Sequence, residues 1–281
     1  MSGSQHPSLP LTVAVSLFGS MAFADKEIAG PMKKQAISAG TKRNVLAAQV
    51  SRMIEARLNK ALNQKRHYLM PPLTEILLIV FCVLIAEWVV LPLFGKNFFV
   101  GLIPVCAAFI IMFLSHRARR ESLRELGWRI DNFRQSLRLL VAPMLLATLA
   151  LVFIGWLSGS MRISDIRFGW SLLWTYFGLF VWALIQQYPL QGFINRRAQM
   201  IWGKGAGSIL FTASIFSLLH LPNFWLTTAT FCGGLLWAAV YQRAPNLFAA
   251  ALSHSLMTVA LVTTVPYSSL HGLRVGYNYY W

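Results

Sequence analysis

Three short stretches of this 281-residue chain carry side chains that could do chemistry in otherwise apolar surroundings. The first holds Gln186, Gln187 and Gln191. The second holds Phe216 and His220 one helical turn apart, followed by Leu-Pro-Asn, and the third holds His254 with Thr258 four residues on. An amide or imidazole at membrane depth needs a partner or a water-filled cavity, which makes such residues candidate site positions. Imidazole titrates near neutrality and can take or give a proton. Hydroxyl, amide and imidazole N–H groups can donate to a developing oxyanion. A primary amide has no lone pair that titrates near neutral pH, so Gln186 and Gln187 can orient a water but cannot accept its proton. The structural alternative is that each histidine bridges two helices through a hydrogen bond.

A general base is the scarce component. After Asp165 the chain contains no aspartate or glutamate. His220 and His254 are two candidates, and Glu87, midway along the first apolar run, is a third. A carboxylate at that depth is protonated, paired or facing a wet cavity, so Glu87 reads either as a displaced base or as a residue sharing a proton with a neighbouring span. Two histidines and a carboxylate could hold zinc with one open position. No two histidines lie one turn apart in this region, however, so the spacing supplies no local ligand motif, and no cofactor is expected.

The elements that must position these residues are membrane helices. Hydrophobic residues make up 56% of the chain and charged residues 12%, and the apolar residues gather into runs near the roughly 17–25 residues that cross a hydrocarbon core. The fold class is all-α, a polytopic transmembrane bundle of about seven spans. These run approximately over 73–94, 98–115, 137–157, 169–190, 207–222, 224–241 and 246–265, with an eighth if the N-terminal stretch also crosses. The fifth and sixth are short and nearly continuous through His220–Asn223, which leaves room for a tilted or re-entrant element.

The formal charge of +16 would suit nucleic acid in a soluble chain, but the basic residues cluster between the apolar runs. Assigning them to alternate sides puts 21 Lys and Arg on one side and 4 on the other. The positive-inside rule then places the basic N-terminal segment in the cytoplasm and the C-terminus outside. The expected partners are the lipid bilayer and a membrane-associated peptide or protein, not nucleic acid.

Three parts follow from this reading: a leader and basic juxtamembrane segment over 1–70, the first three spans with their basic loop over 71–168, and a core over 169–281. Residues 9–24 end in Ala-Phe-Ala like a signal cleavage site but lack a basic start, so they read as a short membrane-associated helix or an unstructured leader in preference to a signal peptide. Leu46, Val50, Met53, Ile54, Leu58 and Leu62 recur at helical spacing among basic residues, which fits a helix lying on an anionic membrane or a solvated one. Cys82, Cys106 and Cys232 lie inside apolar runs and read as buried thiols rather than a disulfide framework. Trp170, Trp174, Trp202, Trp225 and Trp281 fall near span ends, where they would anchor at the interface.

Taken in order, Gln186-Gln187 with Gln191-Gly192-Phe193 and Arg196-Arg197, then Phe216 and His220 with Leu-Pro-Asn, then Gly233-Gly234, then His254, form a pattern that resembles the CPBP intramembrane proteases. That family contains the type II CAAX prenyl endopeptidases and bacterial proteins linked to bacteriocin self-immunity. The resemblance covers roughly 170–265 and implies a multi-pass protein of the bacterial cytoplasmic membrane that hydrolyses membrane-associated or prenylated substrates. It also implies roles: a glutamate that activates water, and histidines and an asparagine that position the water and stabilise the oxyanion.

This chain departs from the pattern at the chemistry. Gln186 and Gln187 stand where the family has its glutamate pair, Gln191 where it has arginine, and Thr258 where it usually has asparagine. Two functions follow: an endopeptidase that uses His220 and His254 around a water held by the glutamines, or a catalytically inactive member that binds a peptide, lipidated tail or partner protein in the same cavity. A transporter is disfavoured because the chain shows no internal repeat.

Overall fold

Backbone N–H and C=O groups in hydrocarbon must be satisfied within their own segment, so apolar runs of this length fold as helices. A computed structural model describes residues 48–55, 70–95, 97–161 and 170–280, and every regular element among them is helical. The chain divides into two compact units, 1–66 and 67–281. In the first, residues 48–55 are helical. The leader over 9–24 and most of the amphipathic stretch over 46–62 lie outside the described residues.

In the second unit, α1 (Pro72–Phe94) begins on Pro71-Pro72, where the missing N–H would be unpaired anyway, and carries a π-helical turn at Ala86–Val90. It is followed by α2 (Phe98–Ala118), α3 (Phe133–Leu157) and α4 (Trp170–Gln187). A π-helical segment, Tyr188–Asn195, joins α4 to the short α5 (Arg196–Trp202). Then come α6 (Ala206–Leu218), α7 (Phe224–Arg243), α8 (Leu247–Thr264) and the single turn α9 (Tyr267–Leu270). Asn97, Asn223 and Asn246 each cap the helix that follows by accepting backbone N–H bonds on the side-chain oxygen.

Among the described residues, α1, α2, α3, α7 and α8 are long and apolar enough to cross a membrane. The expected fourth run is the 18-residue α4. The expected fifth stops at Leu218 after 13 residues, about 20 Å at 1.5 Å per residue and short of a core about 30 Å thick. The chain instead turns through His220–Asn223 and restarts on the Asn223 cap.

Hydrogen bonds show the helices alternating in direction. At one end, Arg119 donates to the Met70 carbonyl (2.7 Å), Asn246 to the Arg129 carbonyl (2.6 Å), and the Gly205 N–H to Gln242 Oε1 (2.9 Å). At the other, Ser160 donates to the Thr264 carbonyl (2.5 Å), Asn223 to the Leu270 carbonyl (2.7 Å), and the Gly276 N–H to the Leu221 carbonyl (2.8 Å). The arginines of the 117–138 loop and of 196–197 share the first end.

Two buried apolar clusters hold the bundle together. Ile76, Ile79, Ala108, Met112, Phe193 and Ile194 join α1 and α2 to the π-helical segment. Leu140, Leu190, Phe216, Trp237, Val240 and Ala249 join α3, α6, α7 and α8 to it. The outer faces stay apolar, as lipid requires: Leu145, Leu146, Leu149 and Phe153 of α3 are all exposed. Cys106 and Cys232 belong to this outer surface and are exposed rather than buried, with Cys82 half-buried. Trp174, Trp202 and Trp225, near helix ends, are exposed too.

α6 and α7 approach closely at Gly234, where a Cβ would lie 3.0 Å from Ala213 Cα. Gly234→Leu should therefore cost about 1–3 kcal/mol through overpacking, read as a lowered unfolding midpoint in lipid.

Candidate functional site

Pro189 has no N–H to give and its ring crowds the preceding turn, so the helical ladder cannot run through it unchanged. The chain responds by widening into the π-helical segment Tyr188–Asn195, a distortion frequent at functional sites. In an α-helix, Gln187 and Gln191 would share a face. Here they part company and serve two different networks.

Gln187, fully buried, places Nε2 3.2 Å from Nδ1 of His254 on α8. With the Gln187 amide nitrogen as donor, His254 Nδ1 accepts and the neutral ring carries its proton on Nε2. His220 is arranged the other way. Its Nδ1 lies 2.6 Å from the Phe216 carbonyl, which can only accept, so Nδ1 holds the proton and Nε2 keeps a lone pair in the neutral ring. The Phe216 ring makes T-shaped contacts with both imidazoles, 4.8 Å from His220 and 5.9 Å from His254 by ring centroids. One histidine thus presents a donor and the other an acceptor, and both pack against one phenyl ring.

Gln191 belongs to a buried amide ladder. Its Oε1 accepts from Asn195 Nδ2 (2.8 Å), and Asn195 Oδ1 accepts from Gln199 (3.1 Å) and from Gln242 of α7 (3.0 Å). Gln242 also donates to Ser208 Oγ of α6 (2.9 Å). The ladder stitches the π-helical segment to α6 and α7.

The remaining candidates stand apart from the imidazole pair. Gln186 is half-buried and makes no side-chain hydrogen bond among the described residues. Thr258 is half-buried and donates its hydroxyl back to the His254 carbonyl (3.0 Å), which occupies its proton within α8. Glu87 lies in the π-helical turn of α1, packed against the C-terminal segment at Gly276. At φ +57, a Cβ on Gly276 would fall 2.7 Å from Glu87 Cβ, so only glycine fits. No hydrogen bond joins Glu87 to His220 or His254. Asn223 of the Leu-Pro-Asn stretch is a capping residue that also ties α7 to the C-terminal segment through the Leu270 and Arg274 carbonyls.

The arginine pair is held in a way the chain order conceals. Arg197 is fully buried. Its Nε donates to Glu75 of α1 (2.6 Å), its two terminal nitrogens to Glu121 (2.9 and 2.8 Å), and one of them to Ser115 of α2 (2.9 Å). Arg196 also donates to Glu121, Arg119 donates to Glu75, and His116 Nδ1 donates to Glu121 (2.6 Å). Burial alone would raise the Glu121 carboxyl, but the bonds from His116, Arg197 and Arg196 outweigh it and hold the group well below the usual carboxylate range. The acids missing after Asp165 are thus supplied by the first half of the chain. Two glutamates at span ends, and a basic pair with no acid near it in sequence, were the available signals. Trp237, which the sequence reading passed over, packs on His254. Its only sequence mark is Gly233 one turn earlier.

Among the described residues no three His, Cys, Asp or Glu side chains gather to hold a metal. Residues 167–260 match the family model described as type II CAAX prenyl endopeptidase Rce1-like. This segment belongs to that family. Searches of curated proteins and of solved structures found no match. The CAAX-endopeptidase-like segment contains the imidazole pair, the π-helical segment and the whole amide ladder. Glu75, Glu121 and Glu87 all lie outside it.

Proposed function

We propose that this membrane protein cleaves peptide bonds of membrane-associated substrates of the prenylated or lipidated class, with His220 as general base and His254 as oxyanion donor. The reading rests on the opposed tautomers about Phe216. His220 Nε2 offers a lone pair to a water, while His254 Nε2–H offers a fixed donor to the carbonyl oxygen the water attacks. Gln187 contributes by holding His254 in its donor tautomer. Family membership supports the reaction class.

A second reading has its own support. Gln187 is fully buried, the region carries no carboxylate, and the hydrogen bond to His254 comes from an amide that cannot take up a proton. Such a site would hold a peptide without cutting it.

The experiment is cleavage of a prenylated CAAX peptide and of a membrane-protein library by the full-length protein in proteoliposomes. The wild type should cut, and His254→Ala should lower the rate by about 10²–10³-fold, the usual cost of one oxyanion donor. A silent wild type beside an active Gln186→Glu/Gln187→Glu variant would instead establish binding as the function.

A further inference from the structure

We infer that Trp237 is a positioning residue that fixes the ring plane of His254, and with it the direction of the donor N–H. The inference rests on the reading of His254 as oxyanion donor. The bond from Gln187 selects the tautomer of His254, but at 3.2 Å it is long for an N–H donor and holds one ring atom only. It cannot by itself keep the imidazole from swinging off that contact. The indole of Trp237 lies over the imidazole face, with centroids 4.5 Å apart and planes 32° apart, while Phe216 stands against the ring edge-on at 88°. Trp237 is itself immobilised: it is 4% exposed, and its Nε1 donates to Ser253 Oγ (2.7 Å), whose hydroxyl donates to the Ala250 carbonyl (2.9 Å).

Ser253 precedes His254 on α8, so the indole is keyed to the turn that carries the imidazole. Gly233 leaves the space the indole fills, since a Cβ there would fall 2.7 Å from the Trp237 ring. These contacts converge on one ring and leave it a single orientation.

The test uses the full-length chain labelled with 15N-histidine in lipid nanodiscs, with the His254 signals assigned by their loss in His254→Gln. The wild type should show one tautomer, protonated on Nε2. Trp237→Leu should populate both tautomers and lower kcat for peptide cleavage about 10²-fold with KM unchanged, the order expected for misplacement of a reacting group. Trp237→Phe, which keeps an aromatic face, should retain the single tautomer and most of the rate. Ser253→Ala keeps the core volume and frees the indole anchor, so it serves where Trp237→Leu fails to fold, and it too should mix the tautomers. Wild-type His254 signals in every folded Trp237→Leu or Ser253→Ala sample would overturn the inference. A mixed tautomer in a protein that cuts nothing in any form would uphold the role of Trp237 and reject hydrolysis.

Discussion

Glu121→Ala is expected to lower the stability of the folded chain by about 3–5 kcal/mol, the cost of breaking a buried ion pair from one side. The reason is the burial of Arg197. Its guanidinium is fully enclosed and uses Glu121 for two of its bonds and Glu75 for a third. Removing one carboxylate leaves a cation that can neither reach water nor lose its proton. Glu121→Gln should recover part of the loss, because the amide oxygen can still accept, and Arg197→Lys should not, because an ammonium cannot span both carboxylates.

The same bonds set a pH dependence. Glu121 is held below its ordinary range when folded, so its contribution is complete above the unfolded carboxyl pKa of about 4.3 and declines as pH falls below that toward the folded value. Unfolding midpoints in lipid across pH 3–7 measure both effects. A Glu121→Ala protein as stable as wild type at pH 7 would mean the clasp contributes nothing.

Gln187→Glu should lower peptide cleavage by about 10²–10³-fold, the usual cost of one oxyanion donor. A carboxylate at the Gln187 position reverses the local polarity, because it can only accept where the amide donates. His254 Nδ1 must then carry the proton, and Nε2 becomes a lone pair backed by a negative charge. The variant should thus exchange a donor for a base at one atom. 15N signals of His254 would report the tautomer change whether or not the rate falls. A switched tautomer with cleavage undiminished would show that His254 is not the oxyanion donor.

Much of the scaffold was legible in the chain itself. Spanning runs, their alternating direction and the position of the basic loops follow from hydropathy and charge, which act locally and need no knowledge of neighbours. The pairing of Phe216 with His220 was also legible, because a four-residue spacing on a helix has one geometric meaning. Other spacings misled. Gln187 and Gln191 are four apart as well, yet the turn around Pro189 is π-helical and sends them to separate networks. The fifth run read as a marginal span, but its helix ends at Leu218 because the Asn223 cap starts the next one. Cys106 and Cys232 read as buried because an apolar run looks the same whether its face meets protein or lipid.

The sequence by itself determined that the chain is a helical membrane protein with two histidines and a glutamine pair in its core, since residue type and local period suffice for that. Only the tertiary structure decided which partner each histidine meets, that Trp237 covers His254, that Glu87 packs against Gly276, and that Arg197 finds its acids in the first half of the chain. Glu75 and Arg197 are 122 positions apart. Nothing periodic links residues so far apart, and only the packing of α1, α2 and the π-helical segment brings them within 2.6 Å.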